Sequence, residues 1–126
     1  MKTPCEINVK LIIPAVRAVI VQELHEKYGK NQNEIASLLG LTQPSVSHYL
    51  RGERGARGLE IVREQPAFKS VQDLIEKLIG NKMSDMEVIK EICIICMMIR
   101  PKFVEKYLEG VDPASILDCD KIPFCK

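Results

Sequence analysis

The sequence has no tryptophan and only three phenylalanines and three tyrosines, so its core has to be built from aliphatic side chains. It also lacks any apolar run of about eighteen residues, the length that a membrane-crossing helix needs. The strongly apolar stretch from Ile92 to Ile99 is too short for that role. No signal-peptide pattern opens the chain, because Pro4, Cys5, Glu6 and Asn8 interrupt the start, and a cytoplasmic location is expected. A formal charge of +1 gives no global field that would advertise a nucleic-acid partner. There are two histidines, no carboxylate pair placed for acid–base work and no phosphate-cradling glycine motif, so the expectation is that the chain is not an enzyme. Internal repeats, low-complexity tracts and strand-like alternation are absent as well.

What is present suits a small folded protein. In 126 residues, 46% are hydrophobic and 28% charged, a balance that separates foldable chains from disordered ones. Charge is uneven along the chain. Residues 1–60 carry eight Lys/Arg against six Asp/Glu, and residues 61–126 carry ten against eleven. Between Leu50 and Glu64 lie Arg51, Arg54, Arg57 and Arg63, the first three in the run RGERGARG. If any segment meets phosphate, this one does.

Hydrophobic spacing predicts an all-α chain. Val16, Ile20, Leu24 and Tyr28 recur at helical intervals between Pro14, which suits a first turn, and Gly29, which suits an exit. Asn31 can cap a second helix from Gln32 to Leu39, with Ile35, Ala36 and Leu39 inward and Gly40 ending it. Thr42 can cap a third, with Pro44 in its first turn and Val46, Tyr49 and Leu50 at core spacing. A further amphipathic helix is expected from Lys69 to Ile79, through Val71, Leu74, Ile75, Leu78 and Ile79, broken by Gly80-Asn81. Ser84 and Glu87 have capping-box spacing for a helix running to about Arg100, where Pro101 marks a boundary or a restart through Tyr107. From Gly110 onward the tail reads as loop, with one turn near 113–117.

The segment QNEIASLLGLTQPSVSHYL carries the densest signal. Ala36 permits close approach of two helices, Gly40 makes the turn, and Ile35, Leu39, Leu41, Val46 and Tyr49 lock the pair. Gln43, Ser45, Ser47 and His48 are left for the exposed side of the second helix. Their short polar side chains suit a helix entering a major groove, where Gln pairs bidentately with adenine and Ser bonds to either base. The Thr42 end offers backbone N–H groups to a phosphate. Arg51, Arg54 and Arg57 suit backbone contact or minor-groove insertion.

Over roughly residues 12–60 this closely resembles the Cro/repressor-like (XRE-type) helix-turn-helix proteins, including their small archaeal regulators. The pattern stands as Gln32, Ile35-Ala36, Leu39-Gly40, Thr42-Gln43, Val46-Ser47, Tyr49-Leu50 and Gly52. The resemblance implies that Gln32 contacts phosphate while Gln43, Ser45 and Ser47 face base edges; His48 lies where the family varies. This chain departs from the family in placing a basic Gly-rich link after the third helix. The implied organisation is a Cro/repressor-like helix-turn-helix DNA-binding domain over 11–60 and a helical C-terminal extension over 61–126 for dimerisation and sensing.

Five cysteines in a cytoplasmic chain suggest metal ligation or redox chemistry before a disulfide scaffold. Cys93 and Cys96 form a CxxC on a predicted helix, so both thiols share a face. Cys119 and Cys125 follow after twenty-two intervening residues and are five residues apart. Two pairs make a four-thiolate set that suits an iron–sulfur cluster or a tetrahedral zinc. Buried apolar cysteines without a metal, or a reversible thiol switch, are the alternatives. The small archaeal regulators that this chain resembles often carry a PCE near the start, here Pro4-Cys5-Glu6, and by that resemblance Cys5 competes with Cys125 for the fourth place.

The functional expectation is a sequence-specific transcriptional regulator. It would bind double-stranded DNA as a homodimer and sense redox state or metal through the cysteines. The alternative is a protein-interaction module, antitoxin-like or a transcription cofactor, with a structural metal site.

Overall fold

The computed structural model describes residues 8–80 and 83–107. Every regular element among them is helical. One wide π-helical turn, Asn8–Ile12, leads directly into α1 (Ile13–Glu26), followed by α2 (Gln32–Leu39), α3 (Gln43–Leu50), α4 (Leu59–Val62), α5 (Ala67–Gly80) and α6 (Asp85–Tyr107). No helix among the described residues is long and apolar enough to cross a membrane.

The first helix is the hub. Ala15, Val16, Ala18, Val19, Ile20, Val21 and Leu24 are all buried, which leaves little of its circumference for water. A helix that is apolar nearly all round must be surrounded, and α1 packs against α2, α3, α4, α5 and α6. Residues from Leu11 to Val104 belong to one aliphatic cluster, in which Phe103 is the largest fully buried side chain. The segment beyond the basic link therefore shares its core with the segment before it. At about 25 cal/mol per Å² of apolar surface removed from water, this contiguous cluster is the main favourable contribution to folding.

Caps appear where the residue types require them. Asn31 Oδ1 accepts from the Glu34 backbone N–H at 2.8 Å, and Glu34 Oε1 accepts from the Asn31 N–H at 3.1 Å, a complete capping box. Thr42 Oγ1 accepts from the Ser45 N–H, and Ser84 Oγ from the Glu87 N–H. Gly40 closes α2 in the left-handed conformation.

Three features differ from the sequence reading. Gly80 belongs to α5, which starts two residues earlier than expected, and Ile79 faces outward rather than into the core. A short helix, Leu59–Val62, lies between the basic Gly-rich link and α5, where no element is expected from the sequence. Pro101 neither ends nor restarts α6; the helix runs straight through it. Proline deprives the Met97 carbonyl of its helical donor. The segment beyond it is nevertheless anchored, because Phe103 and Val104 are fully buried.

Candidate nucleic-acid interface

Helices α2 and α3 are joined by the short turn Gly40-Leu41-Thr42 and pack on each other and on α1. Ile35 and Ala36 of α2 meet Val46 and Tyr49 of α3 in the buried layer. This fixes which way the rest of α3 points. With Val46 and Tyr49 inward, helical periodicity leaves Gln43, Pro44, Ser47, His48 and Arg51 on the outward side.

The outward groups are tied together. The Gln43 side chain donates through Nε2 to Oε1 of Gln32, the first residue of α2, at 2.5 Å. Ser45 is a second node, since its hydroxyl oxygen accepts from Thr42 Oγ1 at 3.1 Å and from Arg54 Nη1 at 3.3 Å. The structure thus brings Gln32, Thr42, Gln43, Ser45 and Arg54 together at the N-terminal end of α3. Ser47 is half-buried on the same helix. Arg57 is exposed and further along the loop, and it has an interaction of its own.

At the other end of α3 the chain turns back. Gly52 takes a left-handed conformation with φ of 75°, its N–H bonds to the Tyr49 carbonyl, and the Glu53 N–H bonds to the His48 carbonyl. This paired 5→2 and 6→1 arrangement is the Schellman ending of a helix. Its consequence is that Glu53 swings under the end of α3. There its carboxylate contacts His48 Nδ1 and accepts from Arg51 Nη2 at 3.2 Å. His48 and Arg51, both expected at DNA, converge on this carboxylate. Reading the run RGERGARG by its arginines misses Glu53, and the glycine immediately before it is the available signal.

The rest of that run is packed rather than loose. A Cβ on Gly55 would stand 2.2 Å from the Pro14 carbonyl oxygen, and one on Gly58 would stand 2.5 Å from the Phe103 ring. Arg63, counted with the basic residues in the sequence, turns inward. Its two terminal nitrogens donate to Glu23 Oε1 at 2.7 Å and Gln22 Oε1 at 2.9 Å on α1, and its guanidinium lies over the Phe68 ring. His25 is exposed and donates through Nδ1 to the Lys30 carbonyl oxygen.

Of the five cysteines, Cys5, Cys119 and Cys125 lie outside the described residues. Cys93 is half-buried and Cys96 fully buried on α6. Burial pushes the Cys96 thiol up to about 12, the neighbouring Cys93 adds to this, and the positive charges of Arg100 and Arg17 oppose it. Metal binding takes the thiolate, the form that burial of Cys96 disfavours. Among the described residues no group of three His, Cys, Asp or Glu side chains is arranged to hold a metal ion.

Compared with family models, with curated proteins and with solved structures, the chain finds no match.

Proposed function

We propose that this chain is a sequence-specific DNA-binding transcriptional regulator of the Cro/repressor-like helix-turn-helix type, with α3 as the helix that enters the major groove. The observation that carries the reading is the Gln32–Gln43 hydrogen bond at the exposed N-terminal end of α3. With one Nε2 hydrogen given to Gln32, Gln43 keeps its second N–H and its carbonyl oxygen. Those are the two groups that match N7 and N6 of adenine. Ser45, Thr42 and Arg54 adjoin this reading group, where phosphate contacts would set register. Ser47 lies one turn further along the same helix.

A single eight-residue helix reaches few base pairs. Operator recognition by this chain therefore calls for two copies on a roughly two-fold site, with half-sites about one helical turn apart. The cysteines remain candidates for a ligand-dependent switch, with Cys93 the accessible member of the CxxC.

The test is selection of bound duplexes from a random pool, followed by binding titrations at several salt concentrations. One enriched, two-fold motif is expected. Gln43→Ala should lose affinity for the selected site about ten- to a hundred-fold while leaving random DNA nearly unchanged. Arg54→Ala should weaken both and reduce the salt slope by about one. No enrichment, together with a stable complex with another protein, would replace this reading by the protein-interaction one.

A further inference from the structure

The last helix is apolar on two sides. Its inward face, with Ile92, Ile95, Cys96, Ile99 and Phe103, fills the core. Its outward face carries Met86, 74% exposed, Ile89, 51% exposed, and then Ile94, Met97 and Met98, while Ile79 at the end of α5 is exposed as well. Six large apolar side chains gathered at one helix and its neighbour are unlike the scattered exposed leucines or isoleucines of an ordinary surface. Together they present on the order of 600 Å², the upper end of what a monomer leaves uncovered.

We propose that this outer face of α6 is the surface on which a second copy of the chain docks. Its area supplies most of the roughly 800 Å² that each partner buries in a standard-sized interface. Its shape suits a two-fold pair, which needs the same patch on both partners and here needs little beyond one helix from each. Methionines at three of the positions favour a close-packed contact, since an unbranched side chain fills irregular gaps. Lys90 and Glu87 are exposed charged residues on the same side of the helix. The choice of a second copy over a different protein rests on the DNA-binding reading above, which asks for two equivalent reading helices.

The placement has a geometric corollary. The stripe runs from Met86 to Met98, with Cys93 near its midpoint. If the two helices run antiparallel, burying the whole stripe puts the crossing at that midpoint; if they run parallel, each residue meets its own counterpart. Cys93 faces Cys93 of the second copy either way. Ile89 also lines a cleft of about 180 Å³ shared with Leu39, Gly40 and Leu41. The interface therefore adjoins the turn between α2 and α3.

The experiment is sedimentation of the full chain without DNA across the micromolar range, with Met97→Glu and Ile94→Lys beside the wild type. Both substitutions are at exposed positions, and unchanged circular dichroism would show that they fold. A wild-type dimer is expected, with association at least tenfold weaker in each variant. Alkylation of Cys93 by a maleimide, located by mass spectrometry, should slow as the protein is concentrated. Three results would overturn the proposal: a monomer throughout, a dimer indifferent to both substitutions, or an alkylation rate independent of concentration. Slow alkylation at every dilution in a monomer would assign the face to the chain's own remaining residues. Because no DNA is present, a dimer sensitive to both substitutions stands even if the selection experiment finds no operator.

Discussion

Gln43 and Gln32 are eleven residues apart in sequence and joined by a side-chain hydrogen bond in the fold, Nε2 of the first donating to Oε1 of the second. A primary amide on a helix surface otherwise rotates freely and offers donor and acceptor interchangeably. Here one of its donors is spent, so the direction of the remaining donor and acceptor is set before any partner arrives. That is preorganisation in the sense that matters for binding: the ordering cost falls on folding rather than on recognition.

This relationship predicts the behaviour of Gln32→Ala. Gln43 would remain but lose its orientation, so preference for the selected operator over random duplex should fall by roughly tenfold. The Gln32→Ala, Gln43→Ala double variant should lose less than the sum of the two, with a coupling of about 1 kcal/mol. Strict additivity in a titration series would show that the two amides act separately.

Glu53 predicts a gain. Its carboxylate holds His48 and Arg51 and adds negative charge beside the reading helix. Glu53→Gln should tighten binding to any duplex severalfold and steepen the salt dependence by about one released ion. Weaker binding would mean that the carboxylate's main part is to position those two side chains.

The glycines of the basic run predict a stability effect at a distance from any ligand. Gly58 has φ of 81° and no room for a Cβ against Phe103, so Gly58→Ala has to strain the backbone and displace the ring. About 2–4 kcal/mol of destabilisation is expected, read as a lowered denaturant midpoint at unchanged slope. Gly29→Ala, at φ of 65° with open space around it, should cost less.

Cys96 predicts a pH dependence with a definite sign. Its thiol is pushed up to about 12 by burial in the folded chain, against an ordinary value near 9.0. Below the ordinary value both states hold the proton and stability is unaffected. Above it the unfolded chain releases the proton and the folded one keeps it. Stability should then fall by up to about 1.4 kcal/mol per pH unit until the folded value is reached. Cys96→Val should flatten that portion of the alkaline profile, measured as the difference from wild type in chemical denaturation.

Much of the helical pattern was legible in the sequence because it rests on local chemistry. Asn31 and Thr42 cap where their side chains reach the next turn, and Gly40 ends α2 because a left-handed residue is needed there. Gln43 stands out because an exposed polar residue next to a cap can be read from spacing alone. The departures share a cause, which is tertiary contact. Pro101 argues locally for a break, yet buried Phe103 and Val104 hold the helix together across it. Ile79 follows the inward spacing of α5 and still points out. Arg63 looks like one more cation of the basic run until α1 supplies Glu23 and Gln22. The 93–96 spacing puts two thiols on one side of a helix, but only packing distinguishes the half-buried one from the buried one. Glu53 lies between these cases, since its effect comes from a turn of four residues whose outcome depends on where the helix before it stops.

The seating of Phe103 against Gly58 ties the middle of the chain to the last described helix. The segment from which Arg54 projects is held at Gly55 by the first helix and at Gly58 by the last. It is a short turn pinned by close packing at both ends. Fraying of the last turns of α6 frees the Gly58 end, while the Gly55 end beside Arg54 stays against α1. The seating of the Gly58 end is thus a readout of whether the last turns of α6 are intact.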